Sequence, residues 1–348
     1  MVEPVTKAGV YLWQYVSAVL IIAGTFGNIL SILILSRPRF RKQASTALLL
    51  GLAVADLSML YVGLLRQWVK YVFGTDIREL SGFTCKVQAW LVYVVADCTV
   101  WFLVAVTAER LVITLRPYSS ARICTRNLAT VSLVVVAASA AVVNCHVLAG
   151  YTIHEHTGIA SNTTISKLEC GPKSGGYEHF FDHIWSWIDL CKFSLVPFVL
   201  LSGGNICIVY KLIQNKNKVK NDVRIHTNEQ PKTRTKQTSN MTVVLLSLNV
   251  VFIVSTLPIS IYLIGVPIWL PRSTSGYQRV TDPWWAFVNL LMYTNNTCNF
   301  ILYCLMGSRF RGEAKKLFQV CRKGVEMLPG AHRHGHRSSS HSQSVTDI

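Results

Sequence analysis

The sequence predicts an all-α membrane protein: a bundle of seven membrane-spanning helices, with a short amphipathic helix on the cytoplasmic side after the seventh. Three observations predict it. Hydrophobic residues make up 51% of the 348, charged residues only 15%, and the mean hydropathy is +0.36, too apolar for an ordinary soluble domain. Seven long apolar runs are separated by polar stretches. The basic residues concentrate in every second one of those stretches.

The runs lie near residues 11–35, 46–72, 85–115, 128–150, 184–210, 241–268 and 284–306. Each reaches the ~20 residues that a helix needs to cross the ~30 Å hydrocarbon core. The first is too long for a cleaved signal peptide, is preceded by Glu3 where such peptides are basic, and runs into the basic stretch from Arg37 to Lys42, so it is read as helix one. Residues 1–10 form an extracellular N-terminus and residues 11–306 the seven-helix unit. In 307–322, Phe310, Ala314, Leu317, Phe318 and Cys321 recur on one helical face with basic residues on another, which suits a helix lying on the inner leaflet, with Cys321 a palmitoylation candidate. Residues 323–348, rich in Ser, His, Gly and Arg, read as a disordered cytoplasmic tail.

Of the 34 Lys and Arg, 24 fall in residues 37–42, 110–126, 211–236 and the segment after Met306, at the ends of runs one, three, five and seven. The positive-inside rule puts those stretches in the cytoplasm and the N-terminus outside, as expected of a multi-pass plasma-membrane protein. No aromatic-interleaved module accompanies the net charge of +17, so contact with the lipid bilayer explains it and nucleic acid is not a partner. Only two of the ten cysteines, Cys85 and Cys170, then face the oxidising side; a disulfide between them is expected, the alternative being two free thiols. Asn162-Thr163-Thr164 is a glycosylation acceptor on the same side.

Polar residues inside the spans carry the chemistry. Asp56 sits in the middle of helix two, where an unpaired carboxylate costs several kcal/mol, and Asn28, Thr99, Asn295, Asn296 and Asn299 lie at comparable depth. Arg110 follows Cys85 by about 25 residues, roughly 38 Å of helix, which places the two at opposite membrane faces. An arginine there is also ordinary snorkelling chemistry. A transporter would show internal repeats, and an intramembrane enzyme would show a nucleophile with its base, a carboxylate pair or metal ligands; neither pattern is found, and no enzymatic activity is expected.

In order and spacing, Gly27-Asn28, the segment from Leu52 to Leu57 with Asp56, Cys85, Glu109-Arg110-Leu111 with Pro117-Tyr118, Pro197, Phe252 with Pro258, and the segment from Asn299 to Tyr303 resemble the rhodopsin-like (class A) G-protein-coupled receptors over nearly the whole chain. The run Ala105–Leu111 is similar to invertebrate neuropeptide receptors of the FMRFamide-receptor type. The resemblance implies a receptor that activates a heterotrimeric G protein and then recruits arrestin through serines such as Ser338 and Ser340. It implies an allosteric sodium ion at Asp56, with Asn28, Thr99, Asn295 and Asn299 around it; a purely hydrogen-bonded network is the alternative, and no other metal or cofactor is expected. It implies that Glu109 holds Arg110 until activation, that Tyr303 then swings beneath it, and that helix six moves about Pro258. Four positions depart from the pattern: Thr256 replaces the usual Trp, Phe300 follows Asn299 where Pro is usual, Asn205 stands at a usual Tyr, and helix four lacks its Trp. Phe252 is therefore expected to take more of the rotamer-switch role.

The ligand class follows from what is missing and what remains. Val92 occupies the place of the amine-binding Asp of amine receptors, and residues 284–306 contain no lysine for a retinal Schiff base. A mouth containing Arg66, Gln67, Lys70, Asp189, Lys192, Tyr262, Trp285, Asn289 and Tyr293 offers both charge signs with aromatics, which suits an extracellular peptide, expected to be a neuropeptide. A lipid or small acid is the alternative ligand, and Trp284 and Trp285 are equally read as an interfacial belt. Thr346-Asp347-Ile348 fits a PDZ-domain ligand.

Overall fold

The computed structural model describes residues 4–38, 40–41, 43–160, 163–225, 232–269, 283–306, 310–317 and 319. Helix α1 runs unbroken through Pro4–Tyr11, a π turn at Leu12–Val16, and Ser17–Leu35, so it begins ahead of the apolar run that announced it. It is followed by α2 (Ala44–Phe73), α3 (Gly82–Leu115) and α4 (Arg126–Gly150). Helix α5 starts at Gly176–Phe180, passes two π turns and continues through Val196–Ile225; α6 is Lys232–Trp269, α7 is Pro283–Met306, and residues 310–317 form α8. Between α4 and α5 an antiparallel hairpin, β1 (Tyr151–Ala160) and β2 (Thr163–Pro172), interrupts the helical fold, with Ile153 opposite Cys170.

Six of these helices are long and apolar enough to cross a membrane. Helix α7 falls short of that because Asn289, Thr294, Asn295, Asn296, Thr297 and Asn299 lie along it, and most of these face inward. The bundle is apolar on its outside: Val19, Ile22, Val142, Val199 and Ile206 all stand exposed, where water would penalise them and hydrocarbon does not. At ~1.5 Å per residue the 38 residues of α6 measure about 57 Å, nearly twice a hydrocarbon core, so α6 continues beyond the membrane at the Arg110 end.

Local chemistry sets where the helices end. Gly74, at φ 71°, closes α2 in the left-handed conformation that glycine adopts without a Cβ penalty. Ser81 and Thr84 form a reciprocal capping box at the start of α3, and Thr125 caps α4 by accepting from the Leu128 amide at 3.2 Å. Helix α3 is the hub, packed on α2, α4 and α5, while α7 lies against α1 and α6. At Gly27 an added Cβ would come 3.0 Å from the Phe300 side chain, so the absence of a side chain is what lets α1 approach α7 there. Phe300 also meets the Phe310 ring at 5.8 Å, and Phe310 meets Tyr303 at 5.5 Å, docking α8 on the end of α7.

Two charged clusters tie the helices. In the first, Lys192 of α5 donates to both oxygens of Asp97 of α3 at 2.8 Å and pairs with Asp189, one turn earlier, at 2.7 Å. Asn144 of α4 donates to Asp97 at 2.7 Å, and the Trp101 indole donates to the Lys192 carbonyl at 3.1 Å, within the π turn Cys191–Leu195. In the second, Asp76 of the α2–α3 connection accepts from Arg66 at 2.6 Å, Lys70 at 3.1 Å and Arg78 at 3.3 Å. Burial alone would raise the Asp76 carboxyl, but Arg66, Arg78 and Lys70 outweigh it and hold the group well below the usual carboxylate range.

Lys192→Met is expected to cost ~3–5 kcal/mol in thermal unfolding of the purified protein, since it strands a buried carboxylate, and adding Asp97→Asn should recover most of it. No recovery would refute the pairing. Because the folded Asp76 carboxyl is depressed, its contribution is complete above the unfolded pKa, ~3.9, and fades only as pH falls toward the folded value. Asp76→Asn should therefore lower the unfolding midpoint equally at pH 7 and pH 5.

Candidate functional site

Asp56 is fully buried in α2, 0% exposed, and the sequence around it places polar groups of α1 and α7 within reach. Its Oδ1 accepts from the Asn296 amide at 2.8 Å, its Oδ2 accepts from Asn299, and Asn28 of α1 donates to the Asn296 carbonyl at 2.8 Å. Asn296 is thus a direct partner of the carboxylate. Thr99, by contrast, donates to Ala96 within its own helix at 2.8 Å, and Asn295 is buried on α7. Among the described residues no cationic side chain pairs with Asp56, and Asn28 Oδ1 is buried with no hydrogen-bond partner. A carboxylate without a cationic partner and an orphaned oxygen, linked through Asn296, are oxygen donors of the kind a small hard cation takes. Among the described residues no three His, Cys, Asp or Glu converge as softer metals would need.

At the far end of α3, Glu109 is tied to α2: its Oε1 accepts from Ser45 at 2.8 Å while its Oε2 is buried without a donor. Arg110 is buried beside it. The Tyr303 hydroxyl, on α7, is buried with no partner, a state that costs ~1–3 kcal/mol and that any rearrangement bringing it a partner would relieve. Above these groups Asn249 of α6, 0% exposed, donates to Asn205 of α5 at 2.7 Å and to Thr107 of α3 at 3.1 Å. Phe252 is buried one turn on, and the backbone carbonyl of Phe252 accepts from Thr256 at 2.6 Å and Ser255 at 3.1 Å, just ahead of Pro258. Pro258 itself has no amide to give the Val254 carbonyl, four residues earlier in the helix. Ser260 adds a 2.7 Å bond to Ser194 of α5.

The opposite end opens at Cys85, which is disulfide-bonded to Cys170 and so fastens β2 to the start of α3. Tyr93, Tyr151, Phe181 and Trp185 form an edge-to-face aromatic cluster beneath the hairpin, with centroids 5.5–6.4 Å apart, and the Lys192 ammonium lies 5.3 Å from the Trp185 ring. The mouth residues named from sequence divide into three groups. Asp189 is engaged with Lys192 at the α3–α5 contact. Tyr262 and Trp285 approach at 5.7 Å between α6 and α7, where Asn289 donates to the Trp285 carbonyl at 2.7 Å. Arg66 is held by Asp76, and Tyr293 fills the space opposite Gly63, where a Cβ would come 2.5 Å from its hydroxyl. Gln67 is half-buried on α2 beside Arg66. Trp284 is exposed at the rim, as an interfacial belt residue would be, whereas Trp285 turns inward.

Asn162, Cys321 and residues 323–348 lie outside the described residues. Sequence reasoning missed Asn144, Asn249 and the Asp97–Lys192 bond. The signal was available, since each is a strongly polar residue inside an apolar run and must find a partner there.

A profile of the family described as "7 transmembrane receptor (rhodopsin family)" matches residues 27–303. Among curated proteins, a thyrotropin-releasing hormone receptor of Gallus gallus is 23% identical over 84% of this chain and 75% of its own length. An FMRFamide receptor of Drosophila melanogaster is 23% identical over 83% of this chain and 50% of its own, and a neuromedin-K receptor of Oryctolagus cuniculus is 23% identical over 89% and 62%. The profile covers most of the chain, its span takes in Asn28, Asp56, Arg110, Pro258 and Tyr303, and these relatives are receptors; the chain belongs to the rhodopsin family of seven-transmembrane receptors.

Proposed function

We propose that this protein is a plasma-membrane receptor for an extracellular peptide, with its N-terminus outside and its C-terminus in the cytoplasm, and that it promotes nucleotide exchange on a heterotrimeric G protein. The observation that carries the peptide reading is the Cys85 end. There a tethered hairpin borders two clusters of paired charges, one around Lys192 and one around Asp76, together with aromatic rings. A peptide brings a charged terminus, backbone amides and side chains, and needs such mixed partners. Relatives named for thyrotropin-releasing hormone, FMRFamide and neuromedin K support the same ligand class. The basic residues of the Arg110 end favour the cytoplasmic face by the positive-inside rule.

Activation is read as a repacking of α6 against α3 and α5. Movement about Pro258 would break the Asn249 bonds and expose Arg110, while the partnerless Tyr303 hydroxyl gains a partner in the rearranged state. Asp56 and Asn28 would hold a sodium ion in the resting bundle, and the ion supplies the positive charge that the carboxylate lacks. Serines of the tail would take phosphate and present it to arrestin, and Thr346-Asp347-Ile348 would add to a PDZ-domain sheet edge.

The reading is tested by a G-protein activation screen of cells displaying the chain, with amidated and free-acid peptides beside amines and lipids. A peptide agonist is expected, and Arg110→Ala should abolish its signal while surface display is kept. A lipid or amine as sole agonist would overturn the ligand class, and full signalling by Arg110→Ala would overturn the coupling site. With that agonist, raising sodium should weaken binding by about fivefold or more, in line with ordinary allosteric coupling, and Asp56→Asn should remove the effect. Sodium-independent binding by the wild type would leave the network as hydrogen bonds alone.

A further inference from the structure

A histidine pair stands at the Cys85 end of α5, on the face turned away from the bundle. His179 and His183 are one helical turn apart, and both are exposed. Their ring centroids lie 4.3 Å apart and the ring planes are 14° from parallel. The inward face of the same turns is already taken: Phe181 packs on Tyr93 and Tyr151, and Tyr177 bonds His146 of α4 at 2.8 Å. One contact fixes the chemistry of the pair. His183 Nδ1 lies 3.1 Å from the His179 carbonyl, which can only accept, so Nδ1 carries the proton and Nε2 keeps its lone pair. A ring nitrogen that donates to a backbone carbonyl is the arrangement that orients metal-bound imidazoles.

We propose that His179 and His183 together bind a divalent transition ion of the borderline class, Zn²⁺ or Cu²⁺, from the extracellular medium. The extracellular origin of the ion rests on the orientation given above; the binding itself does not. Imidazole nitrogens suit these ions, whereas Mg²⁺ and Ca²⁺ take oxygen donors. Both rings are exposed, so rotation of the side chains without movement of the backbone brings one nitrogen of each to the ~2.0–2.1 Å that Zn²⁺ takes. Among the described residues no third His, Cys, Asp or Glu joins the pair. Water therefore completes the coordination, and the site is open and exchangeable, unlike a structural centre closed by four ligands. Glu178 and Asp182, next to the pair in sequence, are exposed carboxylates that favour a cation there. The pair also spans the point where the helical turn Gly176–Phe180 passes into the π turn Phe181–Trp185. A bound ion would clamp these first turns of α5, which carry Phe181 and Trp185 beneath the hairpin.

The test uses the full chain purified in detergent, without agonist or G protein, so its failure is separate from any failure of the receptor reading. The tail histidines His332, His334, His336 and His341 are changed to Gln to remove competing imidazoles. Zn²⁺, Cu²⁺ and Mg²⁺ are titrated calorimetrically into this parent and into its His179→Gln, His183→Gln and double variants. Cu²⁺ should bind tightest, Zn²⁺ next and Mg²⁺ not measurably. Loss of either imidazole should weaken Zn²⁺ binding by ~10–100-fold or more, since loss of a supporting hydrogen bond alone costs that much. Zn²⁺ should also raise the unfolding midpoint of the parent and not of the variants, and equal midpoints without metal show that the variants fold. Zn²⁺ affinity unchanged in the double variant overturns the proposal, as does either single variant binding as tightly as the parent. Mg²⁺ binding as tightly as Zn²⁺ overturns the imidazole assignment.

Discussion

Hydrocarbon cannot solvate a polar group, and the architecture of this receptor is organised around that constraint. Each helix buries its backbone polar groups in its own hydrogen bonds, so what remains to be satisfied is a short list of side chains. They face one another. Asp56 finds amides of α7, Asp97 finds Lys192 and Asn144, and Asn249 finds Asn205 and Thr107, so these contacts join α2 to α7 and gather α4, α5 and α6 around α3. The apolar surface around them needs no partner but lipid, which is why large exposed side chains such as Ile22 and Ile206 carry no penalty.

The positions where this chain departs from its family pattern are explained by the same constraint. Asn205, in place of a tyrosine, supplies the acceptor that Asn249 needs in the middle of the α5–α6 contact. Thr256, in place of a tryptophan, returns its hydroxyl to the Phe252 carbonyl and leaves the Phe252 ring as the large buried side chain of that turn. Phe300, in place of a proline, packs on Gly27 and on Phe310, so it couples α1, α7 and α8 through dispersion contacts. Asn205 and Phe300 thus make contacts between helices, whereas Thr256 satisfies its hydroxyl within α6.

Seven spans were legible because hydropathy over ~20 residues is a strong signal, and the Cys85–Cys170 bridge because sidedness left those two thiols together. Directions of side chains were not legible. Depth along a helix follows from residue number, but Asp97 reaches Lys192 only because α3 and α5 turn those residues toward each other, and rotation about a helix axis is set by packing. Arg66 was recognised as an arginine that must face a partner, yet its partner, Asp76, lies in a connection whose turn at Gly74 carries no long-range pattern. The hairpin escaped because its register is held by strand pairing and not by alternation of apolar residues. Thr99 shares the depth of Asp56 but bonds along its own helix, which depth alone cannot distinguish from convergence.

The strengths of these contacts divide the bundle into a fixed part and a movable part. The Asp97–Lys192 pair is buried and charged, and separating it would strand charge at a cost of ~3–5 kcal/mol, beyond the 1–3 kcal/mol of ordinary coupling between sites. Helices α3 and α5 are therefore held together at that level in either state. Helix α6 is held to them by neutral bonds from Asn249 and Ser260, each worth ~1 kcal/mol net, and Pro258 removes one amide from its own helical ladder. On the receptor reading, the energy a ligand can supply by preferring one state is enough to release α6 and not enough to part α3 from α5. The neutral character of the α6 contacts is thus what makes that helix the one able to answer a ligand.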